Sequence, residues 1–299
     1  MKQKITMLGV PMDLGQSRRG VDMGPSAIRY AGIVERLRKS GYEIEDAGNI
    51  EVSKSPGVKT PEEENLTNFA EVRDTSEKLA GRVSNILSNA HFPLILGGDH
   101  SIAIGSIAGA SAHFEKMGVI WYDAHGDLNT AETSPSGNIH GMPLAVSLGR
   151  GHESLVNTYK AGAKIQPDQV VIIGARDLDA GEKSYISETG MLVFTMHEVD
   201  RLGLAEVMNR TIQHLKHCDG VHLSLDLDGL DPHDAPGVGT PVPGGMSYRE
   251  SHLAMEILAE ADIITSAEFV EVNPILDERN KTAEAAVALM GSLFGEKLK

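Results

Sequence analysis

A single cysteine, Cys218, is present among the 299 residues of the chain. The chain cannot form an intrachain disulfide, which fits a reducing compartment, and we expect a cytoplasmic protein. No run of about 18 apolar residues occurs, so the sequence predicts no membrane-spanning helix. The initial segment, MKQKITMLGV, holds an apolar run too short for a secretory leader, and it favours a first β-strand.

Positive charge is also scarce, because 27 Lys and Arg residues stand against 42 Asp and Glu residues, for a net charge of −15. A chain this acidic repels nucleic acid and anionic membranes, so neither is expected as a partner, and it attracts cations. Most of this charge serves solubility, but a cationic substrate would also benefit. No linker rich in Pro, Gly and Ser divides the chain, so we expect one domain over residues 1–299.

Apolar runs of strand length alternate along the chain with amphipathic segments of helix length. This alternation favours an α/β protein whose parallel sheet is covered by helices on both faces. The predicted strands cover residues 5–10, 42–46, 92–96, 119–122, 170–173, 192–195, 221–225 and 263–270. The predicted helices cover residues 25–39, 68–90, 102–116, 202–217, 248–260 and 282–294. Residues 52–66 contain two prolines and several charges, and they predict an exposed loop.

Sheets of this kind bind ligands beyond the carboxyl ends of their strands, so the residues that follow each apolar run deserve the closest inspection. The segment GGDHS, residues 97–101, follows one such run. Two glycines let the chain turn sharply off the strand and present His100 at its end. Alone this is weak evidence, because a single histidine at a strand end is more often an ordinary hydrogen-bonded residue.

A second polar segment contains Asp123, His125 and Asp127, directly after the run 119–122. In an extended chain, side chains at alternate positions point to one side, so three potential ligands would converge. Aspartates often cap turns, but a histidine placed between two of them at strict alternation favours metal binding.

A third polar segment places Asp226 and Asp228 on one side of a strongly apolar predicted strand. Two carboxylates in that setting repel each other and lose their solvation, and an unpaired buried charge costs several kcal/mol. Cations would remove this cost. Asp231 precedes a proline at a turn, and we interpret it as a structural or supporting residue.

These segments together predict a binuclear metal site, because four aspartates balance the charge of two divalent ions. Six ligand residues are too few for two separate octahedral shells, so carboxylates and a solvent oxygen should bridge the ions. A site rich in oxygen and free of thiolate suits Mn²⁺ better than Zn²⁺, with Fe²⁺, Co²⁺ or Ni²⁺ as alternatives. A hydroxide that bridges two cations is a nucleophile near neutral pH. The predicted ligands are His100, Asp123, His125, Asp127, Asp226 and Asp228.

The same motifs, in this order, resemble the arginases of the ureohydrolase family. The resemblance covers essentially the whole chain and includes all six ligand positions. It implies a three-layer α/β/α sandwich with a mostly parallel central sheet, two Mn²⁺ per subunit, and a homo-oligomer that is a trimer or a hexamer. The matching segments are residues 9–30, 97–101, 121–130, 134–143, 224–232, 239–245 and 268–274.

The resemblance also implies an activity, the hydrolysis of the L-arginine guanidinium group to L-ornithine and urea. Asp127 would pass a proton from the attacking oxygen to the leaving nitrogen, and His140 would relay protons between the site and solvent. Glu271 would pair with the guanidinium group, because a carboxylate suits its planar donors. We choose Glu271 over the nearby Glu268 because it directly precedes the sequence VNP. Thr240 would orient the substrate or its urea product.

The amino-acid end of the substrate decides between members of this family. Asn129 and Ser136 match arginase residues that hold the α-carboxylate, and Asp179, supported by Glu182, matches the residue that holds the α-amino group. Agmatine has no α-carboxylate, and agmatinases generally lack the Ser-Gly-Asn loop, which argues for arginine. An agmatinase or another guanidino-acid amidinohydrolase is the alternative. The remaining expected substrate contacts are His125 and Asn138.

Other classes of protein share part of this pattern. A binuclear metallophosphoesterase has similar Asp-x-His and Gly-Asn-His motifs, but Ile139 interrupts the second motif here, and Asp127 lies too close to the first. Arginase-fold deacetylases keep one metal site, so six intact ligands argue against them. The presence of His140 and Glu271 argues against a non-catalytic metal-binding homologue.

Overall fold

The eight apolar runs form strands, and a computed structural model describes them within residues 3–52 and 65–296. All eight lie in one sheet, and every neighbouring pair that the structure describes is parallel. This confirms the predicted α/β class. The strands are β1 (Ile5–Gly9), β2 (Ile44–Asn49), β3 (Phe92–Leu96), β4 (Met117–Tyr122), β5 (Val170–Ala175), β6 (Leu192–Thr195), β7 (Gly220–Asp226) and β8 (Ile264–Val270). Their order across the sheet is β2-β1-β3-β8-β7-β4-β5-β6.

Helices cover both faces of the sheet, as the three-layer prediction requires. One face packs against α1, α2 and α8 to α11, and the other against α3 to α7, so each face has its own apolar core. The helices are α1 (Gly24–Tyr30), α2 (Ile33–Lys39), α3 (Phe69–Ser88), α4 (Ala103–Ser111), α5 (Pro143–Ser147), α6 (Glu153–Val156), α7 (Ala180–Thr189), α8 (Met196–Leu202), α9 (Leu204–Leu215), α10 (Tyr248–Ala261) and α11 (Lys281–Leu293).

The strands are apolar throughout because successive side chains enter opposite cores. In β4, Val119 and Trp121 pack into the core beneath α3 and α4, whereas Ile120 and Tyr122 pack into the opposite core. Side chains of a strand alternate between the two faces of a sheet, so a strand buried on both faces reads as an apolar run.

Three predicted helices differ from the observed ones. The helix predicted over residues 25–39 is two helices, because Gly32 adopts a left-handed conformation with φ of +89° between α1 and α2. The helix predicted over residues 202–217 corresponds to α9, and the preceding helix α8, which Gly203 with φ of +79° separates from α9, was not predicted. The helix predicted to reach residue 116 ends at Ser111.

The loop predicted for residues 52–66 lies mostly outside the described residues. Within the part of the chain that the structure describes, no helix combines the length and apolarity needed to span a bilayer. The described strands share one sheet, and a single domain over residues 1–299 stays a prediction.

Candidate metal centre and active site

The candidate residues meet at the carboxyl edge of the sheet, where β3, β8, β7, β4 and β5 are neighbours. His100 follows β3, Asp123 follows β4, and Asp226 is the last residue of β7. Strands far apart in the sequence are adjacent in the sheet, and parallel pairing puts their carboxyl ends on one edge. The topology therefore brings the three predicted motifs together.

The turn after β3 is possible only because of its glycines. A Cβ on Gly98 would lie 1.9 Å from the backbone oxygen of Met12, so a side chain there would collide with the main chain of the loop after β1. Beyond the turn, His100 is buried and stacks on Trp121, with 4.1 Å between the ring centroids and 3° between the ring planes. This packing fixes the plane of the imidazole that the sequence singled out.

The six predicted ligands form one cluster around the two imidazoles. Nδ1 of His100 lies 3.0 Å from Oδ2 of Asp123, 3.1 Å from Oδ2 of Asp127 and 3.1 Å from Oδ2 of Asp226. Nδ1 of His125 lies 3.3 Å from Oδ1 of Asp123 and 3.1 Å from Oδ2 of Asp228.

Two groups of these atoms are close enough to hold metal ions. The first group is His100, Asp123 and Asp226, and the second is Asp123, His125 and Asp228. Asp123 belongs to both groups, so its two oxygens face two adjacent positions. Asp127 is outside both three-residue groups, although its carboxylate contacts the same nitrogen of His100.

The chemistry of these atoms fits divalent cations. Nδ1 of His100 and Oδ2 of Asp123 are fully buried, and neither has a hydrogen-bond partner among the described residues despite their 3.0 Å separation. Their lone pairs therefore point past each other, and buried polar atoms without partners are costly. A cation coordinated by carboxylate oxygen and imidazole nitrogen would satisfy both atoms.

The electrostatics of the side chains alone also call for added positive charge. Burial, together with the charge of Asp123, raises the pKa of Asp228 to about 6. Burial and the charges of Asp228 and Asp123 raise the pKa of Asp226 well above its usual value. Burial lowers the pKa of His100, but the adjacent carboxylates of Asp123, Asp127 and Asp226 outweigh burial and raise it overall. The anionic forms of Asp226 and Asp228 are thus disfavoured without a cation partner, whereas the two histidines hold the pKa of Asp123 below its usual value.

The local reason for convergence differs from the predicted one at two segments. Residues 123–127 are not an extended strand, because β4 ends at Tyr122 and Asp127 has a left-handed φ of +50°. Asp228 lies in a 3-10 turn, Leu227–Gly229, rather than inside the strand. The prediction that alternate positions of an extended chain bring these side chains together was therefore wrong. Turns that follow the ends of β4 and β7 bring the carboxylates together instead.

Asp231 holds a turn rather than facing the cluster. Its Oδ2 accepts hydrogen bonds from the backbone N–H groups of Gly244 and Gly245, and its Oδ1 accepts one from His233. This arrangement agrees with its interpretation as a structural residue.

A buried polar chain behind the cluster was not recognised from the sequence as part of the site. Nε2 of His100 lies 2.8 Å from Oγ of Ser224, whose hydroxyl donates to Oε1 of Glu268 at 2.8 Å. The ring of His222 follows, with Nε2 at 3.4 Å from the same oxygen. Because Ser224 gives its proton to Glu268, it accepts from Nε2–H of His100, which leaves Nδ1 of His100 as the lone pair facing the cluster.

A cavity of about 150 Å³ opens onto the cluster. All predicted substrate contacts except Glu271 line it, which places them within reach of one small molecule. The sequence missed four further lining residues, which carry no motif beyond those already used. The predicted ones are His125, Asn129, Ser136, Asn138, Asp179, Glu182 and Thr240, and the additional ones are Ser134, Pro135, Gly141 and Asp177.

The residues predicted for the α-amino group form the start of α7. Asp179 accepts a hydrogen bond from Nδ2 of Asn129 at 2.8 Å. Glu182 accepts from the backbone N–H groups of Leu128 and Asp179, one at each oxygen, and burial raises its pKa to about 7. Glu182 thus contacts the loop after β4 through one oxygen and caps the start of α7, at Asp179, through the other.

Glu271 lies beneath His140 rather than in the cavity wall. It is 1% exposed, and its Oε1 accepts from the backbone N–H of His100 at 2.9 Å and lies 3.2 Å from Nδ1 of His140. Burial lowers the pKa of His140, but the hydrogen bond and charge of Glu271 outweigh burial and raise it to about 9. Burial raises the pKa of Glu271, but His140 holds it below its usual value.

This pair predicts a pH-dependent contribution to stability. The raised pKa of His140 contributes stability that is present below its unfolded pKa of about 6.5 and is lost as the pH rises towards 9. The lowered pKa of Glu271 contributes stability that is lost as the pH falls below about 4.5. We expect His140→Asn to reduce the free energy of unfolding by about 1–3 kcal/mol at pH 6, which lowers Tm by a few degrees. At pH 9.5 the same substitution should lower Tm by much less.

The measurement is thermal unfolding with a chelator present, so that only side chains charge the site. Exposed His233→Asn is the matched control and should shift Tm little at either pH. Equal losses for His140→Asn at both pH values would show that the ion pair does not form.

Comparisons with known proteins place these residues in context. The sequence model of the Arginase family matches residues 3–295. An arginase of Bacillus caldovelox is 66% identical over 295 residues, which are 98% of this chain and 99% of that protein. Its native structure superposes with a TM-score of 0.97 at 65% identity, covering all of both chains. An Entamoeba histolytica arginase, solved in complex with L-ornithine, gives a TM-score of 0.89 at 34% identity, covering 98% of this chain and 99% of that one.

Proposed function

Because the chain belongs to the arginase family, we propose that it hydrolyses L-arginine to L-ornithine and urea with the candidate site described above. The observation that carries this proposal is the pair of buried ligand groups that share Asp123, with a small cavity above them. Two Mn²⁺ ions suit the oxygen-rich ligands best. When bound, they would lower the pKa of water, so that hydroxide is available near neutral pH.

The side chains of the site have distinct proposed roles in the reaction. Glu271 binds the cationic guanidinium group, and its hydrogen bonds to the His100 backbone and to His140 restrict its orientation. A bond forms between the hydroxide oxygen and the guanidinium carbon. The bond from that carbon to the δ-nitrogen of the arginine side chain then breaks, which releases ornithine and urea. Asp127 accepts a proton from the attacking oxygen and donates it to the departing nitrogen. His140 exchanges protons with solvent at the cavity wall.

The other end of the cavity favours an amino acid over a simple amine. Asp179 would hold the α-ammonium group, and Asn129 and Ser136 would hold the α-carboxylate. Asn129 already donates to Asp179, so the two residues that bind opposite charges are held side by side. Thr240, whose hydroxyl donates to Oδ2 of Asp228 at 3.1 Å, would orient the substrate or urea above the cluster.

The assembly and location of the protein belong to the same proposal. We infer a cytoplasmic homo-oligomer, a trimer or hexamer, from the family resemblance and from the single cysteine. The net charge of −15 favours the approach of a cationic substrate and disfavours nucleic acid.

A substrate panel tests the proposed activity directly. Protein loaded with Mn²⁺ is incubated in parallel with L-arginine, agmatine and 4-guanidinobutyrate, and urea release is measured. We expect L-arginine to be hydrolysed with a kcat/KM at least about 100-fold above the other two, because each lacks one charged group that the cavity would bind.

The panel also separates the alternatives. Preferential hydrolysis of agmatine would assign an agmatinase, and 4-guanidinobutyrate another amidinohydrolase of the family. Hydrolysis of a phosphate ester without urea release from any guanidino compound would assign a metallophosphoesterase.

A further inference from the structure

The loop after β1, residues 12–20, contacts several parts of the candidate site, although the sequence analysis assigns it no function. Nε2 of Gln16 donates to Oε2 of Glu271 at 2.9 Å. The backbone oxygen of Gly15 accepts from the N–H of His140 at 2.9 Å. Ser17 donates to Asn138 at 3.0 Å. This loop therefore lies against the guanidinium-binding side of the cavity.

Glu271 is held in an unusual way for a buried carboxylate. Its backbone is left-handed, with φ of +64°, and its side chain is 1% exposed. Its Oε1 faces His100 and His140, whereas its Oε2 accepts the hydrogen bond from Gln16. Within residues 3–52 and 65–296, no Lys or Arg forms an ion pair with Glu271. Gln16 is thus the side chain that orients Oε2 of Glu271.

A neutral donor at this position has a specific advantage. Arg18 and Arg19 are close to Gln16 in the sequence, but Arg18 donates to the backbone oxygen of Gly239 and Arg19 pairs with Asp13. His140 already lies against Oε1 of Glu271, and a guanidinium side chain against Oε2 would add a second cation and cancel the charge that a cationic substrate requires. An amide fixes the direction of the carboxylate and leaves its charge available.

The contact is also tightly packed from the opposite side. A Cβ on Gly239 would lie 2.8 Å from Oε1 of Gln16 and 2.9 Å from Oε2 of Glu271. Any side chain at residue 239 would therefore push these two groups apart. Gly239 precedes Thr240, so the loop that carries Thr240 closes directly over the Gln16–Glu271 hydrogen bond.

We propose that Gln16 is a positioning residue that holds Glu271 in the orientation that binds the substrate guanidinium group, without neutralising it. This inference rests on the proposed function, because it concerns the same carboxylate and the same substrate. It predicts that loss of the Gln16 donor weakens ligands that carry a guanidinium group and leaves ligands without one unaffected.

The experiment compares Gln16→Met, which keeps the size and removes the donor, with Gln16→Lys, which places a cation against Glu271. We expect both to raise KM for L-arginine about tenfold or more, with the larger effect for Lys, while inhibition by L-ornithine changes less than about twofold. Binding of guanidinium chloride to the Mn²⁺-loaded protein, measured by calorimetry, should weaken in the same order. Gln213→Met and Gln213→Lys, on the exposed side of α9, are the matched controls.

Gly239→Ala tests the same contact from its other side, should Gln16→Met fail to fold. We expect it to raise KM for L-arginine and to leave inhibition by L-ornithine unchanged. Unaltered guanidinium binding in Gln16→Met, or equal weakening of guanidinium and L-ornithine, would overturn the inference. If the wild-type protein releases no urea but binds guanidinium more tightly than Gln16→Met does, the proposed function alone would be refuted.

Discussion

Replacing Asp228 by asparagine is expected to remove one metal ion per chain and to abolish most arginine hydrolysis. Asp228 is 1% exposed and lies 3.1 Å from Nδ1 of His125 in the second ligand group. Removing one charged member of a buried ionic arrangement costs about 3–5 kcal/mol, which lowers metal affinity by about 10²- to 10⁴-fold. Activity should fall at least as far, because the reaction needs both ions.

Elemental analysis after dialysis and urea release at saturating arginine measure this effect. Asp74→Asn is the matched control, because Asp74 forms an exposed pair with Lys78 that contributes little. Two metal ions retained per chain in Asp228→Asn would show that Asp228 is not a ligand.

Removal of the metal by a chelator is expected to lower Tm by about 15 °C or more. Ions that bind only the folded chain at about 1,000 times their Kd contribute about 4 kcal/mol each, and each kcal/mol shifts Tm by about 2–4 °C at this chain length. The chelated protein also keeps its aspartates buried within a few ångströms of one another, where their charges repel. Differential scanning calorimetry with and without chelator measures the shift.

In Asp228→Asn, the change in stability relative to the wild type should have opposite signs with Mn²⁺ and with chelator, so this variant is a control for the experiment. The variant should be less stable than the wild type when Mn²⁺ is in excess, because it loses a ligand. It should be more stable than the wild type in chelator, because it removes one of the repelling carboxylates. The same order of stability under both conditions would show that the cluster does not depend on metal charge.

Much of the fold could be predicted from the sequence because its strands are buried on both faces. Such strands appear as apolar runs, and all eight predicted runs coincide with observed strands to within a few residues. The helix break at Gly32 was missed, because a helical hydrophobic pattern continues across a single glycine. Helix α8 was missed because it has seven residues and buries only Val199, which is too little to show a helical period.

The clustering of the candidate metal ligands could be predicted for a similar reason. Parallel strands put their carboxyl ends on one edge, so polar residues directly after apolar runs are brought together whatever their local conformation. This is why Asp127 lies beside His100 although residues 123–127 are not extended.

The hydrogen bonds that support the site residues could not be predicted from the sequence. Glu268 acts on His100 through Ser224 on the neighbouring strand β7, and Gln16 reaches Glu271 across 255 residues of chain. A hydrogen bond between residues so far apart leaves no periodic or compositional signal. Glu268 was noted only as a residue that could be mistaken for Glu271.

The distribution of the ligands along the chain sets when the metal can enter during biosynthesis. His100 follows β3, Asp123 and His125 follow β4, Asp226 ends β7 and Asp228 follows β7, so each ligand group joins segments that are far apart along the chain. A ribosome-bound chain that has not yet emerged as far as residue 226 holds neither complete group. Metal capture is therefore a late event of maturation, and it locks together strands that translation produces at widely separated times.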